Sequence, residues 1–514
     1  MKNVPIRPGS RLIAIPLWAV LILTACTRDE ISPATEPVTP NESAAAALAA
    51  CDVSAQAAAL QAADVPDWKA LGIATCYELT FELNPAEAAY SGRARITHSN
   101  LSSEELPDLV FRLYPNADVI YGGTLIVDGI EVNDAAVEPE ALLSDSTAIR
   151  LLLPTPLAPG ADVVITMNFR GKPPIDFVDN EHIYGNFNYD LVDQIMTLAN
   201  AFPMLAVRGE TGWQVTEVLP IGDAVVSEVA LFHVQLSAPP DWSVVSTGTT
   251  TAAEGGVHSI VTGPVRDFIV SASPNFERIE AVQSGVRIQH WGLADGEARW
   301  AETLQATADA IVVFTDRFGT YPYAELDVIA VPMSNAAGIE YPGVFLLNRK
   351  LYNPNPARPF LLGLVVAHET AHQWWYGVVG NDVLTAPWQD EALTTYSSLL
   401  YQADHQERYY AGTLDFYEQA ASEAERSADN ADLAQPVSAF IGAEDSYSGI
   451  VYQKGALFFT ELRAEIGDDA FFAALREYYA NNRFQLAAAS DMLGAFESSC
   501  ACPLDAFYHD WGVN

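Results

Sequence analysis

Two histidines stand four residues apart in His368-Glu369-Thr370-Ala371-His372, inside the apolar run VVAHETAHQWWYG from Val365 to Gly377. At about 3.6 residues per turn, positions i and i+4 share one helix face, so both imidazoles point the same way. Glu369, next to His368, can reach whatever the two imidazoles hold. This H-E-x-x-H order constrains the chain beyond its own helix. A catalytic zinc site takes three protein ligands and keeps one position open, so a separate element has to supply the third. Glu391 in WQDEALTTY is the candidate, with 18 residues between it and His372. Pro387 and the acidic pair Asp390-Glu391 suit the start of a second helix. The simpler role for Glu391 is a favourable charge at that helix N-terminus. A buried His-Glu-His cluster without a metal would leave polar groups desolvated and unpaired, which is costly.

The 514 residues exceed one typical domain and predict two or three. Half are hydrophobic, enough for sizeable cores. Lys and Arg number 26 against 66 Asp and Glu, a formal net charge of -40. Phosphate-binding surfaces need clustered cations, so this balance argues against nucleic acid and anionic membrane surfaces as partners. The acidity itself reads as a solubility feature.

The N-terminus carries an address. Lys2, Arg7 and Arg11 precede an apolar run from Leu12 to Ala25, the n-region and h-region of a secretory signal. It closes on Leu23-Thr24-Ala25-Cys26, which resembles a bacterial lipobox. Residues 1–25 are therefore expected as a signal peptide and Cys26 as a lipidated first residue. The alternative is an ordinary signal peptide beside a chance cysteine. No other segment offers about 18 apolar residues in a row. The expected membrane contact is a lipid anchor alone, with the protein exported. Cys51, Cys76, Cys500 and Cys502 remain. They allow three pairings and no zinc-finger spacing, and export permits disulfides. Cys500-Ala501-Cys502 offers two thiols that a metal could use, but it reads first as a surface disulfide or as free thiols.

Residues 26–66, rich in Ala, Pro, Thr and acids, read as a disordered tether. Residues 67–276 change to short alternating runs, among them Tyr77–Leu83, Leu109–Tyr114, Ala148–Leu153, Val163–Phe169 and Glu228–Leu236, separated by turn residues. That pattern predicts an all-β domain. Residues 277–514 switch to long helical patterns around two predicted strands, YAELDVIAVP and AAGIEYPGVFLLN, the second bent by Gly338 and Gly343. Helices are expected from about Arg299 to Gly319, from near Pro359 to Gly377, from about Pro387, and over 446–467, 468–481 and 490–498. This half is α+β.

H-E-x-x-H followed after 18 residues by Glu resembles the gluzincin aminopeptidases, the aminopeptidase N (membrane alanyl aminopeptidase) family that includes leukotriene hydrolase. Three more stretches agree. Ala337-Gly338-Ile339-Glu340-Tyr341 is similar to that family's G-A-M-E-N signature, and Tyr447 and Tyr452 in DSYSGIVYQKG match its Y-x-x-x-x-Y-x-K-G stretch. Asn200 to Ala206, NAFPMLA, resembles the Phe-Pro segment of its β domain. The resemblance implies an N-terminal all-β, saddle-like domain followed by an α+β, thermolysin-like (zincin) catalytic domain. It implies one Zn²⁺ per chain on His368, His372 and Glu391, with Glu369 as general base and Tyr452 as donor to the oxyanion. Glu340 would bind the free α-ammonium of a peptide substrate, and Gln194 aligns with a glutamine that assists it in some relatives. Ile339, Tyr341, Asp390 and Ala392 depart from the usual signatures without removing a charged or ligating group. Trp511 lies three residues from the last, so a short form without the C-terminal helical domain, and a more open cleft, are expected. The function implied is a zinc aminopeptidase. A thermolysin-like endopeptidase and a non-catalytic surface-binding lipoprotein are the alternatives, opposed respectively by Glu340 and by the intact Glu369 and Tyr452.

Overall fold

The computed structural model describes residues 53–66, 71–175, 183–209 and 211–513. Cys26, Cys51 and the expected signal peptide lie outside them. No helix among the described residues is long and apolar enough to cross a membrane.

Alternation along the N-terminal runs does what the period-two rule requires. Thr75–Asn84 and Asp162–Lys172 bury every second side chain along most of their length, and both sit in an eight-stranded sheet. Within it, Thr75–Asn84 pairs antiparallel with Ala89–Ser99 and parallel with Ala230–Ser237. Two four-stranded sheets and a two-stranded pair, Arg208–Gly209 with Gly212–Trp213, accompany it among the described residues of this β-rich half. Phe202 of the Phe-Pro segment is buried there and packs edge-on against Tyr77.

A five-stranded mixed sheet begins the second half. Its strands are, in spatial order, Glu277–Gln283, Val286–Gly292, Glu325–Val331, Val344–Asn348 and Gly338–Tyr341. Helix α1 (Trp300–Phe318) joins the second strand to its parallel neighbour and ends at Gly319 as the sequence predicts. The segment expected as one bent strand is instead a hairpin. Gly338–Tyr341 runs antiparallel to Val344–Asn348, and Gly343 takes φ +78° to reverse the chain. The edge strand so formed carries Glu340.

Helices α2 (Leu361–Ala371), α3 (Pro387–His405) and α4 (Glu407–Ser427) pack beyond that edge. The α2 helix stops six residues before the expected Gly377. Its apolar run continues, but Tyr376 takes φ 111°, which no helix accommodates. His372 still has helical backbone angles, so the i, i+4 relation survives. The helix expected over 446–467 is interrupted by a π-helical turn, Ser448–Lys454, ahead of α5 (Gly455–Ile466). Asp468–Asn481 forms α6 with the expected bounds.

Residues 53–66, expected within the tether, pack onto the fold instead. Leu60 is buried and bridges to Tyr323, and Asp64 pairs with Arg483 at 3.1 Å. An apolar anchor and an ion pair supply what the composition of the stretch conceals. Between the halves, the buried Arg266 guanidinium donates to the carbonyls of Ser227 (3.0 Å), Tyr376 (2.8 Å) and Gln485 (2.5 Å). Cys500 and Cys502 form a disulfide, and Cys76 is buried.

Candidate active site

The α2 and α3 helices cross so that three side chains converge. His368 Nε2 lies 3.2 Å from His372 Nε2 and 3.3 Å from Glu391 Oε2, and His372 Nε2 lies 3.5 Å from that same oxygen. His372 Nδ1 is held at 2.8 Å from Asp390 Oδ1, so Nδ1 carries the proton and Nε2 presents a lone pair. Lone pairs of two imidazoles and a carboxylate facing one another repel unless a cation sits between them. The Glu391 Oε2 atom is buried and has no hydrogen-bond partner. Ligands about 2.0–2.2 Å from a tetrahedral Zn²⁺ stand about 3.3–3.5 Å apart, which is the observed spacing. The residues fit the metal.

Glu369 follows His368 on α2 and is 4% exposed, with Oε2 unpartnered. Burial, reinforced by the Glu391 and Asp223 carboxylates and opposed by His372, pushes its carboxyl up to about 8. It packs against the backbone of the edge strand. A Cβ on Gly338 would fall 2.4 Å from Glu369 Cδ, so only glycine lets strand and carboxylate approach this closely. Two residues on, Glu340 is 7% exposed and its Oε2 is 3.9 Å from His372 Nε2. Burial drives Glu340 well above the usual carboxylate range, His372 opposing and Glu391 adding to the shift. Tyr452, on the π-helical turn, donates from Oη to Glu391 Oε1 at 2.6 Å and stacks on His368. π-helical turns recur at functional sites because they re-aim one side chain.

These groups line a cavity of about 680 Å³. Every site residue read from the sequence within the described residues is therefore in one place, Gln194 excepted. Gln194 is exposed in the hairpin turn after Phe187–Asp190, with φ 54°, and does not line the cavity. Counting back from Pro203 finds Gln194, but a tight turn places it outside. Sequence reasoning missed Asp390 as the partner of His372, and it missed the wall contributed by the β-rich half. Tyr184 and Asp223 line the cavity from that side. Burial, with the Glu340 and Glu391 carboxylates, holds Asp223 well above its ordinary range. No local pattern marks either residue.

The sequence model of the peptidase family M1 domain matches residues 302–511. An aminopeptidase N of Haemonchus contortus is 25% identical over 300 residues, covering 56% of this chain and 30% of that protein. An aminopeptidase N of Streptomyces lividans is 25% identical over 311 residues, covering 55% of this chain and 36% of that one. The chain thus spans about a third of the length of these curated relatives. In fold, the chain is similar to the crystal structure of an M1 zinc metallopeptidase from Deinococcus radiodurans. The TM-score is 0.63 at 20% identity, over 86% of this chain and 94% of that one. Residues 302–511, which hold all three converging ligands, match the peptidase family M1 domain and are similar to the aminopeptidase N-like gluzincins.

Proposed function

We propose that this chain is a zinc-dependent aminopeptidase that removes single residues from the free N-terminus of peptides. The placement of Glu340 carries the reading. Its carboxylate is 3.9 Å from a ligand nitrogen, so a peptide whose α-ammonium pairs with it has its first peptide bond at the metal position. Binding there sets the register of cleavage.

Bound on His368, His372 and Glu391, Zn²⁺ would supply Lewis acidity, polarising the scissile carbonyl and activating water near neutral pH. Glu369 Oε2 accepts the proton of the attacking water and returns it to the departing amine nitrogen. Its buried position, with Oε2 unpartnered beside the ligand set, places the carboxylate to relay that proton. Tyr452 Oη, already oriented toward the ligand set, donates to the oxyanion that develops at the attacked carbon. Asp390 fixes the imidazole of His372 through Nδ1. The Deinococcus radiodurans protein is described with Tyr-Ser-Ala as its substrate, a peptide of the class this reading requires.

The same reading places the protein outside the cytoplasm, anchored to the bacterial membrane by lipid on Cys26. Its support is the basic n-region, the apolar run and the L-T-A-C stretch. Cys26→Ser should release the protein from the membrane fraction or leave it unprocessed. A mature N-terminus elsewhere, without lipid by mass spectrometry, would remove this part of the reading.

The decisive assay compares a free-amine aminoacyl fluorogenic substrate with its N-acetylated form. Only the free amine should be hydrolysed. Glu340→Ala should raise KM and cost about 1.5–3 kcal/mol in kcat/KM, the worth of a charged hydrogen bond, at unchanged zinc content. Equal cleavage of both forms by the wild type would make the enzyme an endopeptidase.

A further inference from the structure

The cavity runs along one face of α2, from His372 through His368, Val365 and Leu364 to Leu361. Charge is distributed unevenly along it. Asp223, Glu340 and Glu391 belong to the end that holds the ligand set, with Glu369 beside them. At the opposite end, where the chain enters α2, Arg358 is the one Lys or Arg among the described residues that line the cavity. Its side chain is exposed and its guanidinium lies over the Phe416 ring, 5.6 Å from the centroid. It forms no ion pair with a carboxylate of the described residues. In a chain with 66 acidic residues to 26 basic ones, a guanidinium left without a carboxylate at the mouth of a substrate cavity is conspicuous. Phe416, 49% exposed, and Phe360 provide apolar surface around it.

We propose that Arg358 binds the terminal α-carboxylate of short peptides, which makes tri- and tetrapeptides the preferred substrates. The assignment rests on the aminopeptidase reading above, which fixes the peptide N-terminus at Glu340. Helix α2 then serves as a ruler. At about 1.5 Å per residue, Leu361 and His368 are about 10 Å apart along the axis. An extended peptide advances about 3.3–3.6 Å per residue, so about two or three residues beyond the scissile bond bring its last carboxylate to the Arg358 end. The planar guanidinium matches a carboxylate in two parallel hydrogen bonds, and an exposed aromatic ring under it receives the last side chain. Longer peptides carry their carboxylate past this point and gain nothing from it.

The test uses zinc-loaded protein with trialanine, trialanine amide, a hexapeptide acid and an alanyl fluorogenic amide. The wild type should cleave the tripeptide acid with a kcat/KM about tenfold or more above its amide, the difference lying in KM. The hexapeptide should behave like the amide. Arg358→Gln should bring the acid-to-amide ratio toward one, and Arg358→Lys should restore part of it. Calorimetric titration of acid and amide into Glu369→Gln protein should show the same preference without turnover. A ratio near one in the wild type, or a preference that persists in Arg358→Gln, overturns the assignment. If the alanyl fluorogenic substrate is not cleaved at all, the aminopeptidase reading falls instead. The titration then still decides whether Arg358 recognises the carboxylate.

Discussion

Asp390 Oδ1 accepts a hydrogen bond from His372 Nδ1 at 2.8 Å, and the next residue, Glu391, faces the Nε2 atom of that same imidazole. One turn of α3 therefore orients one ligand and provides another. Thr394 Oγ1, at 3.3 Å from Nδ1, comes from the following turn. The arrangement makes the metal's hold depend on a residue that does not touch it.

Asp390→Asn keeps the shape of that contact and removes its charge. Zinc affinity should fall by about tenfold to a hundredfold, as measured by competition with a chelator. Unchanged affinity would reduce Asp390 to a packing residue.

Replacing Glu369 with glutamine leaves the three ligands in place and removes the base. Turnover should drop by about 10²–10⁴-fold while the protein still binds one zinc per chain. In the wild type, chelation should abolish activity and one equivalent of Zn²⁺ should restore it. Full activity in a metal-free sample verified by mass spectrometry would refute the metal requirement.

Gly338→Ala puts a methyl group 2.4 Å from Glu369 Cδ. Either the edge strand or the carboxylate has to move, and both positions matter to catalysis. The kcat should fall by about tenfold or more with zinc content intact, since small misplacements of a catalytic group are expensive. Wild-type kcat would mean that the strand yields freely.

Acid should destabilise the fold through two buried histidines that do not line the cavity. Burial lowers His98, bonded to Thr75, to about 4 and His290, bonded to Tyr352, to about 3. Each binds a proton more readily when unfolded, near the ordinary value of about 6.5, so stability is lost as pH falls below that value. His98 alone should account for about 2 kcal/mol between pH 7.5 and pH 5. Denaturant unfolding of wild type and His98→Gln at the two pH values checks this. The variant should show the smaller loss.

What could be read in the sequence follows from where the signal lies. His368, Glu369, His372 and Glu391 are legible because helical spacing is rigid and metal ligands admit few residue types. The strands of the β-rich half are legible because alternation survives in sequences such as Asp162–Lys172. Helix α4 leaves no clear signal in the sequence, although Thr413 and Tyr417 on it line the cavity. Only Thr413, Tyr417, Ala421 and Ala424 are buried on it, a stripe too narrow and too small to stand out against its charges. Asp223 and Tyr184 reach the site by tertiary packing, which no local window records. Gly343 reads equally as a bend or as a hairpin turn because glycine permits both, and only the pairing decides.

The buried Arg266 guanidinium has a consequence for how this protein can be divided. It comes from the β-rich half and satisfies carbonyls on both sides, at Ser227 and at Tyr376 and Gln485. Separating the halves would leave those carbonyls unpaired and expose a face built to exclude water, and removing one partner of a buried charged group typically costs about 3–5 kcal/mol. The family-matched residues 302–511 also omit two strands of the mixed sheet, Glu277–Gln283 and Val286–Gly292. The stretch that carries the chemistry is shorter than the stretch that can fold, so the two must be inherited, expressed and engineered as one.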